Sequence, residues 1–346
     1  MGYLCNAPCE KGCRRAQYDA PITIRRLHRE VAEHGLDGWH RETPPSTSKT
    51  VAVVGGGLAG LSAAWLCALD GHACRVYEKR SRACSALASL PTEQLPREVL
   101  DAEIASIRNQ GTQFEFNCEV GRDVSFDSLR AAVDALIVAC DVAAPADSSV
   151  FTAKEDAMLV RAVAHGKAAA QQAGAFLRGL PSGAQTRRFS CQIGRLRPEE
   201  LCVYAGERLN HVAEAAASGS SAAEARRCLH CDCLKPVSCR LRQYAVEYGI
   251  ESRVERHMVR PIVAPIQRFN DVLFEPGKCI KCGICVEITQ ARGNGMGLTF
   301  AGRGLASSVH VPFGEPLARG LGEAAAACVR ACPTGALAFR NEEETL

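Results

Sequence analysis

Three groups of cysteines in this chain carry the spacing of metal ligands. The first is Cys279-x2-Cys282-x2-Cys285, followed further on by Cys328-x3-Cys332-Pro333. A two-cluster bacterial ferredoxin repeats the run CxxCxxCxxxCP, and the pre-proline cysteine of each run ligates the other run's cluster. In that register the fourth position of the first run is Thr289, and the positions leading to Cys332 are Gly322, Ala325 and Cys328. One quartet is thus reduced to a single cysteine. Cys279, Cys282, Cys285 and Cys332 survive, which is the thiolate set of one [4Fe-4S] cube. Zinc takes four thiolates as well, but Gly283 after Cys282 and the ending Cys332-Pro-Thr-Gly335 favour iron. Cys328 is left over and reads as a small buried residue.

The second group is Cys228, Cys231, Cys233 and Cys239, set among Arg227, Arg240 and Arg242. Cationic side chains there counter the negative charge of a cluster with its thiolates, and a [4Fe-4S] cluster is the reading taken. A Zn(Cys)4 staple uses the same ligands and stays open at this point. His230 reads as a packing residue, not as a fifth ligand. The third group is Cys5, Cys9 and Cys13, three thiolates that close a cube only with a ligand from elsewhere; a helical remnant without metal is the competing reading. Cys67, Cys74, Cys118, Cys140, Cys191 and Cys202 lack ligand spacing and are expected to be core or surface residues.

The elements that position these groups come next. Val51–Val54 reads as a buried strand, Gly55-x-Gly57-x-x-Gly60 follows at once, Leu58–Leu69 continues as an apolar helix, and Cys74–Glu78 is a second strand ending in an acid. This order suits a dinucleotide. Gly55, Gly57 and Gly60 let backbone approach a pyrophosphate at a helix N-terminus, and Glu78 can accept the ribose hydroxyls. Breaks at Thr43–Ser48, Gly179–Gly183 and Arg260–Pro265 divide the chain into 1–43 with the N-terminal cysteines, 48–180 with alternating strands and helices, 181–260 with the tight cluster, and 266–346 with the ferredoxin-like run. Ala213–Ala225 reads as Ala-rich helix.

Composition narrows the function. With 47% hydrophobic and 23% charged residues the chain is neither a tail nor a linker. A net charge of +3 with its 33 arginines spread along the chain argues against a nucleic-acid partner. Val51–Leu69 is uncharged, but Gly55-Gly56-Gly57 makes it strand, turn and helix instead of a membrane span. The charged N-terminal region has no signal-peptide core, so the expectation is the reducing cytoplasm, where such cysteines serve as metal ligands.

Cys5-x3-Cys9-x3-Cys13, the Gly55 motif with Glu78, Leu95–Ile104, Asp134–Ala139 and Val150 through Asp156 to Gly166-Lys167 together resemble the small subunit of glutamate synthase and its flavoprotein relatives. Asp271–Phe339 resembles the ferredoxin-like region of complex I and of formate dehydrogenase or hydrogenase diaphorase subunits. The first resemblance implies FAD on this fold, with Asp156 joining Gly55, Gly57, Gly60 and Glu78 at the cofactor. It also implies that the family's second nucleotide domain, for NADPH, is missing, since only Cys140–Ser149 separates the two strands that flank it there. At positions where relatives carry close-approach glycines this chain has Cys84-Ser85, Asp141 and Lys154-Glu155, substitutions that oppose a pyrophosphate by bulk and charge.

The expected architecture is α/β: a single, reduced Rossmann-like FAD-binding domain flanked by helical and ferredoxin-like [4Fe-4S] modules. The expected role is an electron-transfer subunit passing electrons between FAD, clusters and a partner of the diaphorase, hydrogenase or molybdopterin dehydrogenase type. No catalytic residue is assigned. The alternatives are a cluster-bearing scaffold with an empty flavin fold, and a glutamate synthase-type flavoenzyme.

Overall fold

The computed structural model describes residues 1–34, 45–143, 145–180, 195–205, 219–235, 238–250, 266–293 and 295–340. The chain divides into two compact units, Met1–Lys11 with Thr23–Gln185, and Gly12–Ile22 with Thr186–Leu346. The N-terminal cysteines are split by this division: Cys5 and Cys9 belong to the first unit and Cys13 to the second.

The first unit begins with the short helix α1 (Pro8–Lys11) and α2 (Ile24–His34). The dinucleotide region then runs β1 (Thr50–Val54), α3 (Leu58–Leu69), β2 (Ala73–Glu78), α4 (Ser85–Ala88), α5 (Arg97–Asn109), β3 (Gln113–Phe116), α6 (Phe126–Ala132), β4 (Ala135–Val138), β5 (Val150–Thr152) and α7 (Leu159–Leu177). Its five strands form one parallel sheet in the order β3-β2-β1-β4-β5. Both faces are covered, which is why β1 and β4 are continuous apolar runs. Val51, Val53 and Ile137 pack on one side with α3 and α7 residues such as Ala63 and Ala169. Ala52, Val54, Leu136 and Val138 pack on the other with Leu129 of α6. Lys49 and Thr50 fasten the foot of the sheet. Asp134 accepts from Lys49 Nζ at 3.0 Å, Thr50 N at 2.8 Å and Thr50 Oγ1 at 2.9 Å.

The second unit contains α8 (Pro198–Ala205), α9 (Ser221–Arg226), α10 (Arg240–Glu247), the strands β6 (Gln267–Phe269) and β7 (Val272–Phe274), α11 (Ile284–Arg292), the hairpin β8 (Thr299–Ala301) and β9 (Ser308–His310), α12 (Leu317–Leu321), α13 (Ala325–Ala331) and β10 (Leu337–Phe339). β7 lies antiparallel between β10 and β6, with Phe274 opposite both Leu337 and Gln267. Phe274, Val286, Leu298, Val309, Cys328 and Leu337 fill the core beneath the strands. Segment 12–22 is tied in by charge. Buried Arg15 donates from Nη1 to Arg227 O at 3.0 Å and pairs with Asp19 at 2.7 Å, while Arg227 reaches Glu224 and Asp19. Burial pulls the Asp19 carboxyl upward, yet the Arg15 hydrogen bond, the Ala20 N–H and the charges of Arg15 and Arg227 outweigh it and hold it low.

Helix α3 has the bounds read from the sequence, and the second strand begins one residue earlier than expected, at Ala73. Of the Ala-rich stretch, the described helix is α9 alone; 206–218 lies outside the described residues, as do Cys191 and the breaks at 181–183 and 260–265. Among the described residues no helix is long and apolar enough to cross a membrane.

Candidate functional site

Two places gather the residues singled out by spacing. The first is a cleft of about 580 Å3 at the C-terminal ends of β1, β2 and β4, lined by Gly55, Gly57, Glu78, Cys84, Asp141, Glu155 and Asp156. It lies where an open α/β sheet binds its ligand, at the point where strand order reverses on either side of β1. The glycines are demanded by local geometry. Gly55 has φ +103°, and a Cβ there would stand 2.7 Å from Ala139 O. A Cβ at Gly60 would overlap the Gly55 carbonyl oxygen, so the turn closes onto the first turn of α3 only without a side chain.

Glu78 is buried and already engaged. Its Oε2 accepts from Gly56 N at 2.6 Å and its Oε1 from Arg80 N at 2.9 Å, so the carboxylate braces the glycine loop from the end of β2. Asp156 lines the cleft but uses Oδ1 to accept from Met158 N at 2.7 Å, ahead of α7. The residue that meets the loop is its neighbour. Glu155 Oε1 accepts from Ala59 N at 2.9 Å, at the N-terminus of α3, and a Cβ on Gly57 would overlap the same oxygen. Burial pushes the Glu155 carboxyl up, and Asp141 adds to the rise, against the Ala59 N–H and His165. Cys84 sits in the left-handed region at φ +48°, where a side chain is strained and glycine is not, and donates its N–H to Gly56 O at 2.8 Å. Burial, with Glu155 and Glu78 nearby, pushes its thiol up to about 12. A Cys or a Glu in place of a glycine was visible in the sequence; the backbone atom each would touch was not.

The second place is in the C-terminal unit. Cys279, Cys282, Cys285 and Cys332 line one small cavity walled by Phe274, Val309 and Leu337. The loop that presents them bends through Lys281 at φ +58° and Gly283 at φ +79°, which lets Lys281 N donate to Cys279 Sγ at 3.3 Å. Burial raises the Cys279 thiol, and Cys332 and Cys282 raise it further. Burial pushes Cys285 up to about 12, with Cys328, Cys279, Cys332 and Cys282 adding to the rise. Thiols that oppose one another's ionisation are stabilised as thiolates by a cationic centre, so this donor set fits an iron–sulfur cube. Among the described residues no three His, Cys, Asp or Glu side chains are drawn together as a closed metal site. Cys328 is fully buried, does not line the cavity, and donates weakly to Cys285 O at 3.8 Å.

The 228–239 run packs against this loop. Lys235 Nζ donates to Val329 O at 2.5 Å and Cys332 O at 3.2 Å, and Leu241 N donates to Pro333 O at 3.3 Å. A Cβ on Gly335 would lie 2.8 Å from Cys233 Sγ. Burial pushes Cys231 up to about 11, with Cys228, Asp232 and Cys13 contributing, so Cys13 is a neighbour of this run. Nothing in the spacing of Cys13 pointed there; the Arg15–Arg227 contact carries it across two hundred residues of sequence. Cys67 and Cys74 are core thiols, both pushed up by burial, Cys67 to about 12.

Residues 53–113 match the model of the NAD(P)-binding Rossmann-like domain family. The chain is 37% identical over 142 residues to the glutamate synthase [NADPH] small chain of Mycobacterium tuberculosis, covering 40% of this chain and 29% of that one. It is 33% identical over 181 residues to the NADP(+)-dependent formate dehydrogenase subunit beta of Moorella thermoacetica, covering 45% and 25%. The NADPH-Fe(3+) oxidoreductase subunit beta of Geobacter sulfurreducens is 31% identical over 146 residues, covering 40% and 21%. A solved NAD+-reducing [NiFe]-hydrogenase is 28% identical over 33% of this chain and 48% of that chain, with a TM-score of 0.28. The chain therefore spans less than a third of the length of these three curated relatives. Within that span the fold is a Rossmann-like dinucleotide fold, and the resemblance to the glutamate synthase small-chain group holds there.

Proposed function

We propose that this chain is an electron-transfer subunit of a multi-subunit oxidoreductase, carrying [4Fe-4S] clusters at Cys279, Cys282, Cys285 and Cys332 and at Cys228, Cys231, Cys233 and Cys239, with FAD in the cleft at Gly55, Gly57, Gly60 and Glu78. The observation that carries the reading is the contact between the two cysteine runs. Cys233 Sγ lies against Gly335, three residues past Cys332, and Lys235 binds the carbonyl of Cys332 itself. A cube at each run would supply one-electron storage, and the chain's own contribution is to hold the two ligand loops side by side.

The surface around the first set suits exchange with a partner. Cys282 is exposed, and Ile280, Ile284 and Phe300 expose 47%, 40% and 45% of their surface around the same loop. The partner class is a dehydrogenase, hydrogenase or diaphorase, and a formate dehydrogenase subunit stands among the curated relatives. The cytoplasm remains the expected location.

A second reading, an iron–sulfur scaffold without flavin, is favoured by Glu155 at the N-terminus of α3. Anaerobic purification separates the readings. About eight irons per chain with released FAD supports the flavin-bearing subunit, and about eight irons without flavin supports the scaffold. Four-cysteine sites that return zinc and no iron overturn both.

A further inference from the structure

We infer that the Glu155 carboxylate is an internal substitute for a diphosphate in the dinucleotide cleft, and that a ligand carrying adenosine diphosphate enters only by displacing it. The inference deepens the flavin part of the proposed function and does not depend on the clusters.

The geometry is specific to one oxygen. Oε1 of Glu155 lies 2.9 Å from Ala59 N, a donor of the first turn of the twelve-residue helix α3. The first N–H groups of a helix have no partner within the helix and favour an anion. The same oxygen presses on Gly57 so closely that a Cβ there would overlap it. Gly57 thus provides the open face that a diphosphate uses in this class of loop, and a side chain of the protein fills that face. Glu78 already takes Gly56 N, so two carboxylates each hold one backbone donor of the loop and its following helix turn.

The position of Glu155 in the fold explains how it reaches. β5 ends at Thr152, Ala153 N still donates to Val138 O at 2.9 Å, and the chain then crosses over the carboxyl end of the sheet toward α7. His165 in α7 holds this crossing by bonding the Lys154 carbonyl at 2.8 Å. Asp141 lines the same cleft and adds a further negative charge against a diphosphate, and Lys79 and Arg80 line it as well. An incoming diphosphate therefore has to break a charge-assisted hydrogen bond and move a carboxylate.

The test titrates the full-length, anaerobically purified chain with FAD and, separately, with NADPH, which share the adenosine diphosphate part. Parent, Glu155→Gln and Glu155→Gly are compared by equilibrium binding. E155G should bind at least one of the two dinucleotides about tenfold or more tightly than the parent, which is about 1.4 kcal/mol. E155Q, which loses the charge but keeps the bulk, should fall between them. Iron per chain is read on the same samples and should be unchanged. Equal affinities in parent and E155G, or no binding by any variant, would overturn the inference. Loss of iron from the parent would sink the electron-transfer reading while leaving the affinity ratio intact.

Discussion

Glu78 braces the glycine loop besides the ribose contact expected of it. As an acid ending the second strand it was readable as a ribose acceptor, but its two oxygens are bonded to Gly56 N and Arg80 N in a buried site. Removing a charged acceptor leaves those N–H groups without partners, which costs about 1.5–3 kcal/mol. Glu78→Ala should therefore destabilise the chain by that amount in denaturant titration, with iron per chain retained, and Glu78→Gln should recover part of the loss. An unchanged midpoint for E78A would refute the bracing role. Asp134 gives a pH dependence. Hydrogen bonds from the Thr50 N–H, the Lys49 ammonium and the Thr50 hydroxyl hold its carboxyl at about 2. A depressed carboxyl stabilises the fold fully above its unfolded pKa of about 3.9 and loses that contribution as pH falls toward 2. The difference in melting temperature between parent and Asp134→Asn should be constant above pH of about 4–5 and shrink below it. A difference that grows as pH falls would sink this assignment.

At the scale of elements, the dinucleotide half was legible because its signals are local. An uncharged apolar run, three glycines and an acid fix β1, α3 and β2 within one residue, since each follows from the strand-turn-helix sequence alone. What could not be read depends on where distant segments meet. Glu155 is ninety-six residues from Ala59, and Lys235 is ninety-seven from Cys332; neither contact has a sequence period. The same holds for α3 against α7. A Cβ on Gly166 would overlap Ala59 O, so the two helices approach through that glycine. Gly166→Ala should cost about 1–3 kcal/mol by overpacking and lower the melting temperature without changing iron content. The cluster loop offers a cleaner contrast. Cys332 lines the thiol cavity and Cys328 is buried beside it with its thiol pushed up to about 11, chiefly by burial. Cys332→Ala should lose about four irons per chain and Cys328→Ala none. Equal losses would mean that the register drawn from the pre-proline cysteine is wrong.

Among the described residues one dinucleotide sheet stands beside the cysteine groups, and its extent bounds what the chain can do alone. Among the described residues the only five-stranded parallel sheet is β3-β2-β1-β4-β5, and β4 runs to β5 through eleven residues, 139–149, with no second nucleotide-binding unit between them. A nicotinamide needs its own loop and helix N-terminus set beside a flavin before a hydride can pass. Two backbone donors of the cleft that is present already hold carboxylates. The contacts that are well made lie instead between the 228–239 run and the Cys332 loop. The isolated chain should accordingly show no NADH- or NADPH-driven bleaching of its cluster absorption under anaerobic conditions, while dithionite bleaches it. Adding FAD should not change this in the parent. Reduction by NADPH at a rate that scales with the lone chain's concentration would show that a nicotinamide site exists on this polypeptide, and the assignment of nucleotide oxidation to a partner would fall.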